Sequence, residues 1–236
     1  MALKRAVVVL MALTSMAAVA TPVAAGPFID AYAGAAFTPR QDASLSGTLA
    51  GATVDATFPG LKFEDSISGG LRFGYWFPFI GIGLDLSYFR PDISRQTVTA
   101  TGTLNDPGGT LLDTPLTVSG TGPVAIPRDQ YHVASGAVEL MLRLPVLVDP
   151  IFPAGRLQPY VFAGPAVFAS YLAGFDVDTT VGLKAGGGLA LQILGPLAVF
   201  AEYQFTHFKP DLTSSGVSIK LNVDTHHLVG GVSLRF

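Results

Sequence analysis

Few residues in this chain combine types and spacing that could do covalent chemistry. Glu202, Thr206 and His207 share the segment AEYQFTHF (201–208), an acid, a hydroxyl and an imidazole of the kind hydrolases use. Such a hydrolase needs a nucleophile within reach of its imidazole. The stretch THFKPD (206–211) supplies no serine, and the chain has no G-x-S-x-G elbow. His207 also alternates in phase with Tyr203 and Phe205, so it reads as a polar residue at an interface. His226 and His227 are adjacent, and adjacent side chains of a strand point to opposite faces, so they cannot chelate one metal together. His207 with His226 would make only a two-ligand site. No catalytic residue, metal or cofactor is expected.

The chemistry that remains is electrostatic. Asp30, Asp85, Glu139 and Glu202 on one side, and Arg72, Arg143, Lys184 and Arg235 on the other, each interrupt an otherwise apolar stretch. Isolated charges in a low-dielectric interior are very costly, so acids and bases that balance should pair. Their phase says where they pair. Ile67, Gly69, Leu71, Phe73, Tyr75 and Phe77 share a face opposite Arg72, and Ile80, Ile82, Leu84, Leu86 and Tyr88 share one opposite Asp85. The same holds for Val138, Leu140, Leu142 and Leu144 against Glu139 and Arg143, and for Leu197, Val199, Ala201, Tyr203 and Phe205 against Glu202. Period-2 alternation of this kind marks strands with one apolar and one polar face. A water-soluble barrel would carry its apolar face inside; here the charges face each other and the apolar rows must face out.

The elements that position these charges are eight strands, near 27–37, 66–77, 80–90, 129–145, 157–170, 179–194, 197–208 and 224–236. Only 157–170 is apolar on both faces and resists phasing. Long polar connections at 38–65, 91–128 and 209–223, with a shorter one at 171–178, alternate with compact turns at Pro78-Phe79, 146–156 and Gly195-Pro196. Leu157–Phe175 and Ala185–Ala201 are apolar enough to suggest spanning helices, but Gly and Pro break both. The expected fold is all-β: an eight-stranded antiparallel up-and-down transmembrane barrel. In the second hairpin, a two-residue turn at Pro78-Phe79 sets Phe77 against Ile80 and so Arg72 opposite Asp85. Inward glycines (Gly70, Gly74, Gly81, Gly83, Gly182, Gly186, Gly188 and Gly231) are expected to make room for the charged chains. Tyr75, Phe77 and Phe79 at one end, and Tyr88, Tyr131 and Tyr171 at the other, suit interfacial girdles.

Bulk properties agree. Charged residues are 13% of the chain and mean hydropathy is +0.47, high for a protein surrounded by water. Lys4 and Arg5, an apolar stretch from Ala6 to Ala20, and Val23-Ala24-Ala25 form the three parts of a secretory signal peptide, so 1–25 is expected to be removed and 26–236 to form the barrel. Losing Lys4 and Arg5 leaves 12 of the 14 basic residues against 17 acidic ones, about −5, which argues against nucleic acid. There is no cysteine, so no disulfide supports the fold.

The segments GLRFGYWF (70–77), GLDLSYF (83–89), QPYVFAGPAVF (158–168), AEYQFTHF (201–208) and THHLVGGVSLRF (225–236) together resemble the small outer-membrane β-barrels that include the membrane domain of OmpA, OmpX and opacity-type proteins. The resemblance covers the whole mature chain and is architectural. It implies residence in the cell outer membrane, contact with its lipid and lipopolysaccharide, and assembly by the barrel assembly machinery, which reads a closing aromatic such as Phe236. It implies a monomer with a structural or surface-interaction role, and an extracellular protein ligand held by the loops. A lipid A deacylase-like enzyme and a small-solute channel are the alternatives it leaves. No cell-wall-binding domain is expected after Phe236.

Expressed in a Gram-negative host, the chain should be cleaved before Gly26 and recovered with the outer membrane, with folded and boiled forms migrating differently on a gel. Deleting Phe236 should reduce assembled protein far more than deleting an equal length of loop; helical circular dichroism in the inner membrane would end this reading.

Overall fold

A computed structural model of the chain describes residues 25–49, 51–109, 115–214 and 216–236, so the expected signal peptide, 1–25, lies outside the described residues but for Ala25. Among the described residues fourteen strands follow one another: β1 Gly26–Phe37, β2 Gln41–Leu49, β3 Ala52–Leu61, β4 Ser66–Trp76, β5 Ile80–Phe89, β6 Gln96–Asp106, β7 Leu116–Ile126, β8 Tyr131–Arg143, β9 Leu157–Leu172, β10 Asp178–Leu194, β11 Leu197–Phe208, β12 Asp211–Ser214, β13 Val217–Leu221 and β14 Val223–Arg235. Eight of them, in the order β1-β14-β11-β10-β9-β8-β5-β4, close into an antiparallel barrel in which each strand pairs with its neighbours in sequence along that wall. The two stretches that could have been spanning helices are β9, and the end of β10 with the start of β11.

Register follows the pattern of the residues. Phe77 N–H donates to Ile80 O at 2.7 Å to close the β4–β5 turn, and Arg72 then lies opposite Asp85, Phe73 opposite Leu84 and Tyr75 opposite Ile82. A one-residue slip would turn every lipid-facing side chain inward, which is why so apolar a face fixes the pairing. Ile82, Leu84, Leu86, Val138, Leu140, Val181 and Leu189 are all exposed, while Arg72, Asp85, Glu139 and Lys184 are wholly buried. The apolar face is therefore outside, a surface that lipid can cover and water cannot.

The strand that could not be phased places Tyr160, Phe162 and Phe168 inside and Val161 and Val167 outside. Its alternation is invisible because aromatics fill the lumen on the same strand that shows aliphatics to lipid. These rings also correct the reading of the glycines. A Cβ on Gly74 would sit 2.5 Å from the Phe28 ring, and one on Gly186 2.5 Å from that of Phe162. The small positions chiefly accommodate rings from neighbouring strands, although Gly83 does lie against Arg72. Tyr131 is not a girdle residue: it is wholly buried and donates to Ser170 Oγ at 3.0 Å. The girdle at that end holds Tyr88 with His132, and Tyr203 with His226, each pair bonded at 2.6 Å.

The three long connections do not fold as separate loops. Each is a hairpin (β2–β3, β6–β7, β12–β13), and they join edge to edge into a six-stranded sheet ordered β12-β13-β2-β3-β6-β7. The bridging pairs are β13 with β2 and β3 with β6. Sequence did not show this lateral joining, because pairing between hairpins carries no local signal. The inner face runs on from the barrel interior: Ala43, Val98, Leu212 and Leu221 pack with Phe89, Phe168 and Phe208 as one apolar cluster that closes the lumen at this end. The opposite face carries Ser44, Ser46, Asp55, Thr57, Thr101 and Thr103.

Because the chain has no native cysteine, this joining can be tested directly. Ser46 and Ser218 are partners across β2 and β13, so S46C/S218C should oxidise to a disulfide, while S46C/T121C, three strands apart in the sheet, should stay reduced.

Candidate functional site

Two features could carry function: the filled lumen and the free edge of the outer sheet. The lumen is layered, as β11 shows along its inward row, which reads Phe200, Glu202, Gln204, Thr206 and Phe208. Toward the tight turns lies an aromatic layer of Phe28, Tyr32, Trp76, Tyr160, Phe162 and Phe200. Above it sits the charge layer, then the apolar cluster shared with the outer sheet.

Arg72 is the centre of the charge layer. Its Nη1 and Nη2 donate to both oxygens of Glu202 at 3.0 and 2.8 Å, a two-point contact across the lumen. Its Nε lies 2.7 Å from Glu139 and 3.4 Å from Asp85, and its Nη1 3.6 Å from Asp30. The ring of Phe162 lies 4.5 Å from the guanidinium carbon. Asp85 in turn accepts from Lys184 Nζ at 2.5 Å and from Tyr32 Oη at 2.8 Å, while Glu202 accepts from Tyr160 Oη at 2.5 Å and Gln204 Nε2 at 2.6 Å.

The expected Arg72–Asp85 proximity is present, yet the main partner of Arg72 is Glu202. Side chains directly opposite on adjacent strands leave the wall side by side, and a chain as long as arginine's extends past its neighbour to the far wall. The expected set of four acids and four bases also divides. Asp30, Asp85, Glu139 and Glu202 gather around Arg72 and Lys184, while Arg143 and Arg235 lie toward the tight-turn mouth and share Gln158 Oε1 as an acceptor. The charge layer is thus acid-rich, and neither carboxylate oxygen of Glu139 accepts a hydrogen bond from a described residue. Sequence reasoning missed Tyr32 and Tyr160, which with Gln204 are the neutral donors that make this layer tolerable. Tyr32 shares the phase of Asp30, which was an available signal, whereas Tyr160 lies on the strand that resisted phasing.

The hydrolase and metal candidates disperse. His207 Nδ1 lies 2.6 Å from Asp224, but its cross-strand neighbours are Leu183 and Asp224, with no serine between them. His226 faces outward to Tyr203, whereas His227 is buried against Ser68 and Thr206. Among the described residues no cluster of three or more candidate ligands could hold a metal ion.

At the outer sheet the two edges differ. The β12 edge is four residues long and covered: Asp176 N–H donates to Thr213 O at 3.0 Å, and Asp211 N–H to Asp178 Oδ2 at 3.2 Å. β7 is eleven residues long and pairs only with β6 among the described residues. LTVSGTGPVAI carries no charge, and Leu116, Val118 and Val124 are exposed. Thr101 with Thr121 at 3.1 Å, and Thr103 with Ser119 at 3.0 Å, hold β7 flat against β6. Pro123, which lacks an N–H, suits an edge strand and limits further pairing to the residues before it.

A closed eight-stranded barrel with aliphatic exterior, charged lumen and long hairpins at one end defines the fold of the small outer-membrane barrels. Among solved structures, Neisserial surface protein A is similar with a TM-score of 0.52 and 14% identity over 90% of this chain and 99% of that one. OprG from Pseudomonas aeruginosa follows with a TM-score of 0.47, 16% identity and coverage of 89% and 96%. Ail of Yersinia pestis, solved in complex with the heparin analogue sucrose octasulfate, gives 0.37, 8%, and coverage of 86% and 99%. No family model and no curated protein sequence matches the chain.

Replacing Arg72 by Ala would remove the base on which all four acids converge. R72A should lose about 3–5 kcal/mol of stability in urea unfolding, the usual cost of removing one partner from a buried ion pair. Combining R72A with E202Q should recover part of it; a double variant whose loss equals the sum of the R72A and E202Q losses would show that the two side chains are not coupled.

Proposed function

We propose that this chain is an integral outer-membrane protein whose working part is the sheet beyond the membrane, and that it acts in surface interaction rather than catalysis. The outward aliphatic band supports membrane residence. The tight turns, the start of β1 and the finish of β14 then lie in the periplasm, and the joined hairpins outside the cell, as is usual for such barrels. The observation that carries the reading is β7. Proteins protect exposed strand edges with charge, shortness or cover, and this one has none of these along Leu116–Gly122, while the opposite edge is covered. An extended segment of an extracellular protein would add to β7 by main-chain hydrogen bonds. A second copy in the same membrane fits poorly. A two-fold axis along the membrane normal sets each β7 residue beside itself, whereas a parallel ladder bonds residues displaced along the strand.

A labelled peptide with the sequence of β6, Gln96–Asp106, is a suitable probe because it is the natural ladder partner of β7. It should bind the folded protein and fail to bind G120K/G122K, positions where an added Cβ meets nothing within 4 Å. Equal binding by both proteins would remove the edge from the account. Protease added to intact cells should cut within 38–65 or 91–128 and spare Pro78 and Gly195; the reverse pattern would invert the orientation.

A further inference from the structure

The open edge of β7 has a definite relief as well as a free main chain. Across the inner face of the outer sheet, Ile219, Leu45, Ala56, Gly102 and Gly120 follow one another from β13 to β7, so the side chains shrink to nothing toward the edge. Two residues further along β7, Gly122 faces Ala100. The pair Leu104 and Val118 bounds this bare stretch at one end, and the pair Val98 and Val124 bounds it at the other. It is a hollow in an apolar face, open where the sheet ends.

Elsewhere in the chain a bare glycine is covered in one recurring way. Phe28 lies directly opposite Gly74, Tyr32 opposite Gly70, Trp76 opposite Gly81, Phe162 opposite Gly186 and Phe200 opposite Gly231, each on the adjacent strand. In every case the ring leans across the gap between strands, and its atoms come within 2.6 Å of where a Cβ on the glycine would be. Neighbouring strands lie about 4.8 Å apart, a distance that an aromatic side chain spans. Such a ring shields the exposed backbone and stabilises a glycine in a strand. Gly120 and Gly122 are the strand glycines, among the described residues, at which a Cβ would meet nothing within 4 Å. Their β6 partners are Gly102 and Ala100, so no ring reaches them from that side.

We propose that β7 binds an extended, uncharged segment of an extracellular protein carrying an aromatic residue, whose ring seats over Gly120 or Gly122. The proposal rests on the reading of β7 as a docking edge. The unpaired main chain makes the site; the glycines decide which side chain the added strand must bring. Neighbours of the ring on the same face meet Val118 or Val124 and are apolar, and the residues between them meet Ser119 and Thr121 and are polar. β7 itself, LTVSGTGPVAI, has no aromatic residue, so a second copy of this strand does not supply the ring.

Three labelled peptides of the β6 sequence Gln96–Asp106 compare the side chain: one unchanged, one with Gly102→Phe and one with Gly102→Leu. Each is titrated against the refolded mature chain and against G120V/G122V, which occupies the hollow from β7 itself with a good strand former. The Phe peptide should bind the wild-type protein at least about fivefold more tightly than either of the others, a part of what burying a ring contributes. That advantage should vanish in G120V/G122V, which still binds the unchanged peptide. Comparing Phe with Leu on the wild-type protein decides the matter even where the double variant does not fold. Failure of all three peptides to bind folded wild-type protein removes the docking edge, and this inference with it. Equal binding of the three leaves the edge in place and overturns the ring seat. So does a Leu peptide that gains as much as the Phe peptide, or a preference for Phe that persists in G120V/G122V.

Discussion

The Arg72 guanidinium is the point on which the barrel interior depends. It is fully buried, and a charge so placed is tolerable only when partners from several strands converge on it. Glu202 reaches it from β11, Glu139 from β8, Asp85 from β5 and Asp30 from β1, so one side chain ties together four other strands of the wall. Tyr32, Tyr160 and Gln204 supply donors to the surrounding acids. The aromatic layer beneath and the apolar cluster above keep water away from this layer, which strengthens every interaction in it and makes any missing one costly.

The exterior imposes the complementary constraint. Each strand must show lipid an unbroken apolar row, and this leaves only alternate positions for everything else the protein needs. Strand polarity, register and charge placement are therefore coupled, and the Arg72–Asp85 level could be counted from the Pro78-Phe79 turn alone. β9 escaped phasing for the same reason in reverse: its inward Tyr160, Phe162 and Phe168 are as apolar as the residues it shows to lipid. Cross-lumen pairing was not legible, since nothing in sequence spacing relates Arg72 on β4 to Glu202 on β11. Nor was the sharing of Gln158 by Arg143 and Arg235, which depends on how far along the barrel each strand carries its charge.

Outside the membrane the same alternation continues with different residues. Tyr–His pairs mark the boundary, and beyond it the outward row turns to Ser and Thr while the inward row stays apolar. The three hairpins could have remained independent, each with two exposed edges. Joining through β13–β2 and β3–β6 reduces these to one covered edge and one open one. Among the described residues, unpaired edge backbone is thereby concentrated in a single uncharged strand, β7. Its Thr–Thr and Thr–Ser contacts with β6 keep that strand extended before anything binds, which lowers the cost of binding.

Eight strands enclose a lumen whose middle layer, Arg72 and its acids, is sealed by side chains. Single-channel recording of the refolded mature chain in planar bilayers tests it most directly. The account predicts no steady conductance above the bare membrane. A large, stable and reproducible open state in the wild-type protein would contradict it and would make the lumen a pathway for solute.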